Sequence, residues 1–101
     1  MTVLNWRHHG RRVPVGAISV MRGTPFGNPF VIGRDGDRAE VIRRYRAWLW
    51  ARLRADPVFR GQVRALHGRD LVCCCAPLAC HGDVLAAAAA WLAGAAVEAA
   101  P

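Results

Sequence analysis

The chain predicts a small single α/β domain, in which a sheet of three or four strands is covered by helices. Three observations carry that expectation. Short β-type apolar segments occur near residues 2–6, 13–21 and 69–75, a long helical periodicity lies between the second and third, and a further apolar helix follows the third. The 101 residues are enough for one core and leave little room for a second, so residues 1–101 are taken as one domain.

In "TVLNW", Val3 and Asn5 fall on one face and Leu4 and Trp6 on the other, which predicts a first strand running into the basic turn "RHHGRR". The segment "VPVGAISVM" is β-rich, with Pro14 confining its start to an edge or a strand entry. "RGTPFGNPFVIGRDGD" follows, and its density of glycine and proline predicts a structured loop.

Asp37 and Glu40 have the spacing of a capping box, and Val41, Ile42, Tyr45, Trp48, Leu49 and Leu53 then recur at helical intervals. A helix over about 38–55 follows, with Arg38, Arg43, Arg44, Arg46, Arg52 and Arg54 on its other face. Asp56 and Pro57 mark the cap and first position of a second, shorter helix ending near His67 and Gly68. "RDLVCCC" predicts a buried strand, because its small and β-branched residues run without alternation. From Gly82 or Asp83, a helix apolar nearly all round extends to about Val97, which suits a core position or a homodimer interface.

Charge narrows the partners. All 14 basic residues are arginine, against 7 acidic ones, for a net +7. A guanidinium binds phosphate or carboxylate as a planar fork, so the expected partner is a phosphorylated small molecule or nucleic acid. A GC-rich genome would produce the same arginine bias without any such partner. No membrane role is expected, since the uncharged residues near the C-terminus are too few and too alanine-rich to span a bilayer. The N-terminus lacks the layout of a signal peptide, which makes a cytoplasmic protein with reduced thiols the expectation.

All four cysteines lie in "LVCCCAPLACHGDVL", where a strand hands over to a helix. Three readings stand open. Cys73, Cys75, Cys80 and His81 supply soft ligands for a metal such as zinc, although adjacent residues such as Cys80 and His81 seldom point at one ion. Alternatively, Cys80 at a helix start is a thiolate nucleophile, with His81 carrying the proton, or with His8, His9 or His67 as the base. Otherwise the cysteines are small buried strand residues and His81 a capping or packing residue.

The loop "RGTPFGNPF" pairs backbone freedom at Gly23 and Gly27 with stiffness at Pro25 and Pro29, and adds Arg22 and Asn28. Such a loop suits either a pocket wall for phosphate or carboxylate or an ordered connection. It matches neither the Walker nor the dinucleotide glycine spacing.

Taken together, Arg22, Gly23, Thr24, Pro25, Gly27, Asn28 and Pro29, then Cys73, Cys75, Pro77, Cys80, His81, Gly82 and Asp83, resemble the two motifs of the domain-of-unknown-function 4326 family of bacteria and phages. The resemblance covers nearly the whole chain. Cys74 stands where such proteins often carry tryptophan, implying a packing role. Two motifs far apart in sequence imply one shared pocket for a nucleotide, nucleoside or nucleic-acid base. Arg22, Gly23, Thr24, Gly27, Asn28 and Gly82 would hold the ligand, and Cys75, Cys80, His81 and Asp83 would supply chemistry. Parallel neighbouring strands would bring both loops to one sheet edge, with Arg22 facing an anion held at the amides of Gly82 and Asp83. The alternative is a metal-stabilised nucleic-acid-binding module, with zinc or iron on Cys73, Cys75, Cys80 and His81.

Overall fold

The computed structural model describes residues 3–74, 78 and 80–94. Three parallel strands form the sheet in the order β1-β3-β2, with β1 at Val3–Asn5, β2 at Ile18–Ser19 and β3 at Leu71–Cys73. Val3 pairs with Leu71 on one side of the central strand and Ile18 pairs with Leu71 on the other. The whole of β3 is buried. A central parallel strand covered on both faces has no solvent side for polar residues to occupy, hence the run without alternation.

Three α-helices cover the sheet: α1 at Arg38–Ala55, α2 at Pro57–Arg64 and α3 at His81–Leu92. The Asp37 carboxylate accepts from Glu40 N and caps α1, while Glu40 itself pairs with Arg43 and Arg44. Of the apolar stripe, Val41, Tyr45, Leu49 and Leu53 are buried, and Ile42 and Trp48 pack partly against the core. Asp56 caps α2 by accepting from Val58 N and Phe59 N, with Pro57 in the first turn where its missing N–H costs nothing. The Arg52 guanidinium lies 3.8 Å over the Phe59 ring and so welds the two helices.

Three boundaries differ from the sequence expectation. The second strand shrinks to two residues, because Gly16 at φ 85 and the Ala17 N to Pro14 O bond turn the chain before Ile18. The second helix stops at Arg64, and residues 65–68 continue as tight turns ending on Gly68 at φ 84. The third helix starts one or two residues early, at His81, because Cys80 supplies the cap. Its expected extension to Val97 lies outside the described residues. Within them, His81, Gly82, Val84, Leu85, Ala88 and Ala89 are buried, and α3 packs on α1, α2 and the sheet. Those buried positions are covered by its own chain, while Ala87 is exposed and Ala86, Ala90, Trp91 and Leu92 are half-buried.

Because β2 and β3 are parallel neighbours, the segments leaving their carboxyl ends emerge at one sheet edge. One is the loop beginning at Met21; the other leads through Cys74 to α3.

Candidate functional site

A cavity of about 300 Å³ opens where these two segments meet, lined by Met21, Arg22, Asn28, Phe30, Ile32, Arg38, Val41, Ile42, Cys73, Cys74, Cys80 and His81. Both motifs thus contribute to one concavity, and the start of α1 closes the third side.

The glycine–proline loop is built by its own hydrogen bonds. Thr24 Oγ1 donates to the Met21 carbonyl over 2.7 Å, and Gly27 N donates to the Thr24 carbonyl. Gly27 is there for space, since a Cβ would lie 2.9 Å from Arg22 Cα. Gly23, at φ 89, is there for conformation. Asn28 is buried; its Oδ1 accepts from Phe30 N at 2.9 Å and its Nδ2 meets the Val41 carbonyl at 3.5 Å. Arg22 donates to the Phe30 carbonyl at 3.1 Å while remaining exposed, which leaves guanidinium N–H groups for a ligand.

The opposite wall is the helix start. Cys80, in extended backbone at φ −148 and ψ 171, is the N-cap of α3. Its sulfur accepts from Gly82 N at 3.3 Å, and Asp83 returns the favour by accepting from Cys80 N at 3.1 Å. A capping box therefore stands here, formed by a thiol and an aspartate. A hydrogen bond from Cys73 and the Gly82 amide hold the Cys80 thiol below its ordinary pKa, against the opposing effect of burial. His81 is buried; its Nε2 meets the Val20 carbonyl and its ring stands edge-on to Tyr45 at 5.1 Å. Since a carbonyl only accepts, Nε2 carries a proton in this contact.

The Sγ atoms of Cys73 and Cys80 and a ring nitrogen of His81 lie within 4.8 Å of one another. The expectation that Cys80 and His81 diverge is therefore corrected: the change from extended to helical backbone at this junction breaks the alternation that would send adjacent side chains apart.

Other candidates stand elsewhere. Gly23, Thr24 and Gly27 shape the loop without lining the cavity, and Gly82 and Asp83 serve the cap. The anion expected on the Gly82 and Asp83 amides has no room, because Gly82 N is taken by Cys80 Sγ and Asp83 N by the Cys80 carbonyl. Asp83 instead faces a second cleft with Arg46 and Trp50. His8, His9 and His67 are exposed and do not line the cavity. Cys74 is also corrected: it is exposed and lines the cavity mouth, because β3 ends at Cys73 and releases the next residue from the sheet. Cys75 and Pro77 lie outside the described residues.

The helical spacing puts Arg38 with the arginines on the other face of α1, yet it lines the cavity. Its place follows from Asp37 capping the helix directly after the loop, a signal present in the sequence but not tied to the site.

Comparison with known proteins places these residues in a wider set. The model of the domain of unknown function DUF4326 matches residues 4–91, which includes both motifs. An uncharacterized 12.4 kDa protein from the nrdA-td intergenic region of Enterobacteria phage T4 is 31% identical over 70 residues. That match covers 68% of this chain and 63% of the phage protein, so the chain spans somewhat less than two thirds of its relative. No solved structure matches the chain.

Proposed function

Since the chain belongs to the DUF4326 family, whose description names no activity, its reading rests on its own cavity, and we propose that this cavity binds a nucleotide, nucleoside or nucleic-acid base. The observation that supports this is the composition of the lining. Met21, Phe30, Ile32 and Ile42 offer apolar faces to a planar ring, and Arg22 and Arg38 offer guanidinium groups to phosphate. Asn28, His81 and the thiols bring polar and reactive atoms to the same volume, so an enzymatic role would fall to Cys80 and His81.

Calorimetric titration with the ribonucleoside monophosphates and the matching nucleosides tests the reading. Binding of at least one monophosphate is expected, weakened about tenfold or more by Arg22→Ala or Arg38→Ala, a loss of roughly 1.4 kcal/mol or more. The nucleoside should be much less affected by either change. No binding of any nucleotide, nucleoside or base at millimolar concentration overturns the proposal.

A metal-stabilised nucleic-acid-binding module is the second reading, supported by the cysteine–histidine cluster and the net charge of +7. The expected arginine face of α1 weighs against it. Arg43 and Arg44 pair with Glu40, Arg52 lies over Phe59 and near Asp56, and Arg38 turns to the cavity. Anisotropy with random duplex DNA separates the two. Weak binding that vanishes with salt fits a nonspecific basic surface, and tight binding that survives salt favours the module.

A further inference from the structure

We propose that Cys73, Cys80 and His81 form a three-ligand site for a zinc-class divalent ion at the cavity floor, with the fourth coordination position open to the cavity. The inference uses the cavity but not the identity of the nucleotide-class ligand proposed above.

The carrying observation is convergence. The three donor atoms lie within 4.8 Å of one another, all three residues are buried, and all three line the cavity. Two sulfurs and an imidazole nitrogen are a donor set that zinc takes in tetrahedral sites, with bonds of about 2.0–2.3 Å. Donors on one ion at those lengths stand roughly 3.3–3.8 Å apart, so the three atoms need to close by no more than about 1.5 Å around a metal.

Each donor is positioned independently of any ion. Cys73 ends the buried central strand, Cys80 is the helix cap and His81 opens the helix. The Val20 carbonyl on Nε2 gives His81 the kind of backbone partner that metal-bound histidines carry on one nitrogen, so Nδ1 is the nitrogen an ion would take. Gly82 N performs the equivalent service for the Cys80 sulfur.

The ligand number separates a reactive site from a staple. Structural zinc has four protein ligands, whereas a reactive site keeps a position for water or ligand. Among the described residues no fourth cysteine, histidine or carboxylate joins the cluster. What adjoins it is the cavity with Arg22, Asn28 and Arg38. A ligand could thus place one donor atom on the ion and its anionic group on the arginines.

The test loads the full chain with zinc for elemental analysis, and with Co(II) for absorption spectroscopy. One metal per chain is expected, with thiolate-to-cobalt charge transfer of two sulfurs. That intensity should persist in Cys74→Ser and Cys75→Ser and fall by about half or more in Cys80→Ser, while His81→Ala should weaken metal uptake and shift the ligand-field bands. Azide added to the wild-type Co(II) protein should shift the ligand-field bands as it enters the fourth position. Folded protein that takes up no stoichiometric metal overturns the inference. So does a Co(II) spectrum that loses about a third of its charge transfer in Cys75→Ser and ignores azide, because that is a closed four-ligand site. The azide titration needs no variant, so it decides the matter even where Cys80→Ser fails to fold. Nucleotide titration of metal-free protein reads the other proposal separately.

Discussion

Tyr45 Oη donates a 2.8 Å hydrogen bond to the carbonyl of Phe26, tying the middle of α1 to the glycine–proline loop. The same ring meets His81 edge-on at 5.1 Å, so one buried side chain touches both the glycine–proline loop and the start of α3. Burial also pushes the phenol pKa well above its ordinary value, and Tyr45 stays a neutral donor. Tyr45→Phe keeps the ring contacts and strands the Phe26 carbonyl. The expected cost is about 1–2 kcal/mol in urea unfolding with an unchanged m-value. A change below a few tenths would show that the bond does not anchor the loop.

Two glycines should respond oppositely to alanine. At Gly27 a Cβ would meet Arg22 Cα at 2.9 Å and the Met21 carbonyl at 3.0 Å, both backbone atoms that cannot step aside. Gly27→Ala should cost roughly 1–3 kcal/mol and displace Arg22. Gly61, inside α2, has nothing within 4 Å of its Cβ position, so Gly61→Ala should stabilise by up to about 1 kcal/mol. Paired thermal melts check both, and equal effects would contradict the packing described.

Asp83 offers a clean separation of cap from chemistry. Its Oδ2 accepts from Cys80 N at 3.1 Å, so Asp83→Ala should lose about 0.5–2 kcal/mol of stability. Asp83→Asn keeps an accepting oxygen and should retain most of it. If Asp83→Asn folds normally but loses ligand binding or turnover, Asp83 is more than a cap.

Glu40 should make the protein acid-sensitive. Its hydrogen bonds from Arg43 and Arg44 lower its pKa from 4.5 to about 2. A carboxylate with a depressed folded pKa contributes stability above its unfolded pKa and loses it as pH falls through the folded one. Stability should therefore decline between pH 4.5 and about 2, and Glu40→Gln should flatten part of that slope. The pair is solvent-exposed, so the difference should shrink in high salt. An identical pH profile for wild type and Glu40→Gln would remove Glu40 from the account.

Local signals in the sequence determined much of this molecule. A capped helix over Arg38–Ala55, the Asp56–Pro57 start of the next helix and the buried strand into Cys73 all follow from short-range patterns, because caps and periodicity act within a few residues. The two motifs were also legible as candidates, on account of their glycine, proline, cysteine and histidine content. Which side chains meet was a tertiary matter. Parallel pairing of β2 with β3 put both loops at one edge, and the abrupt end of β3 exposed Cys74 while leaving Cys73 inside. The switch from extended to helical backbone at Cys80 turned His81 toward the same sulfur atoms, and the cap consumed the amides that a bare motif offers to an anion. Side-chain direction at a strand end or helix start depends on where the element breaks, and that break is set by the packing of distant segments around it.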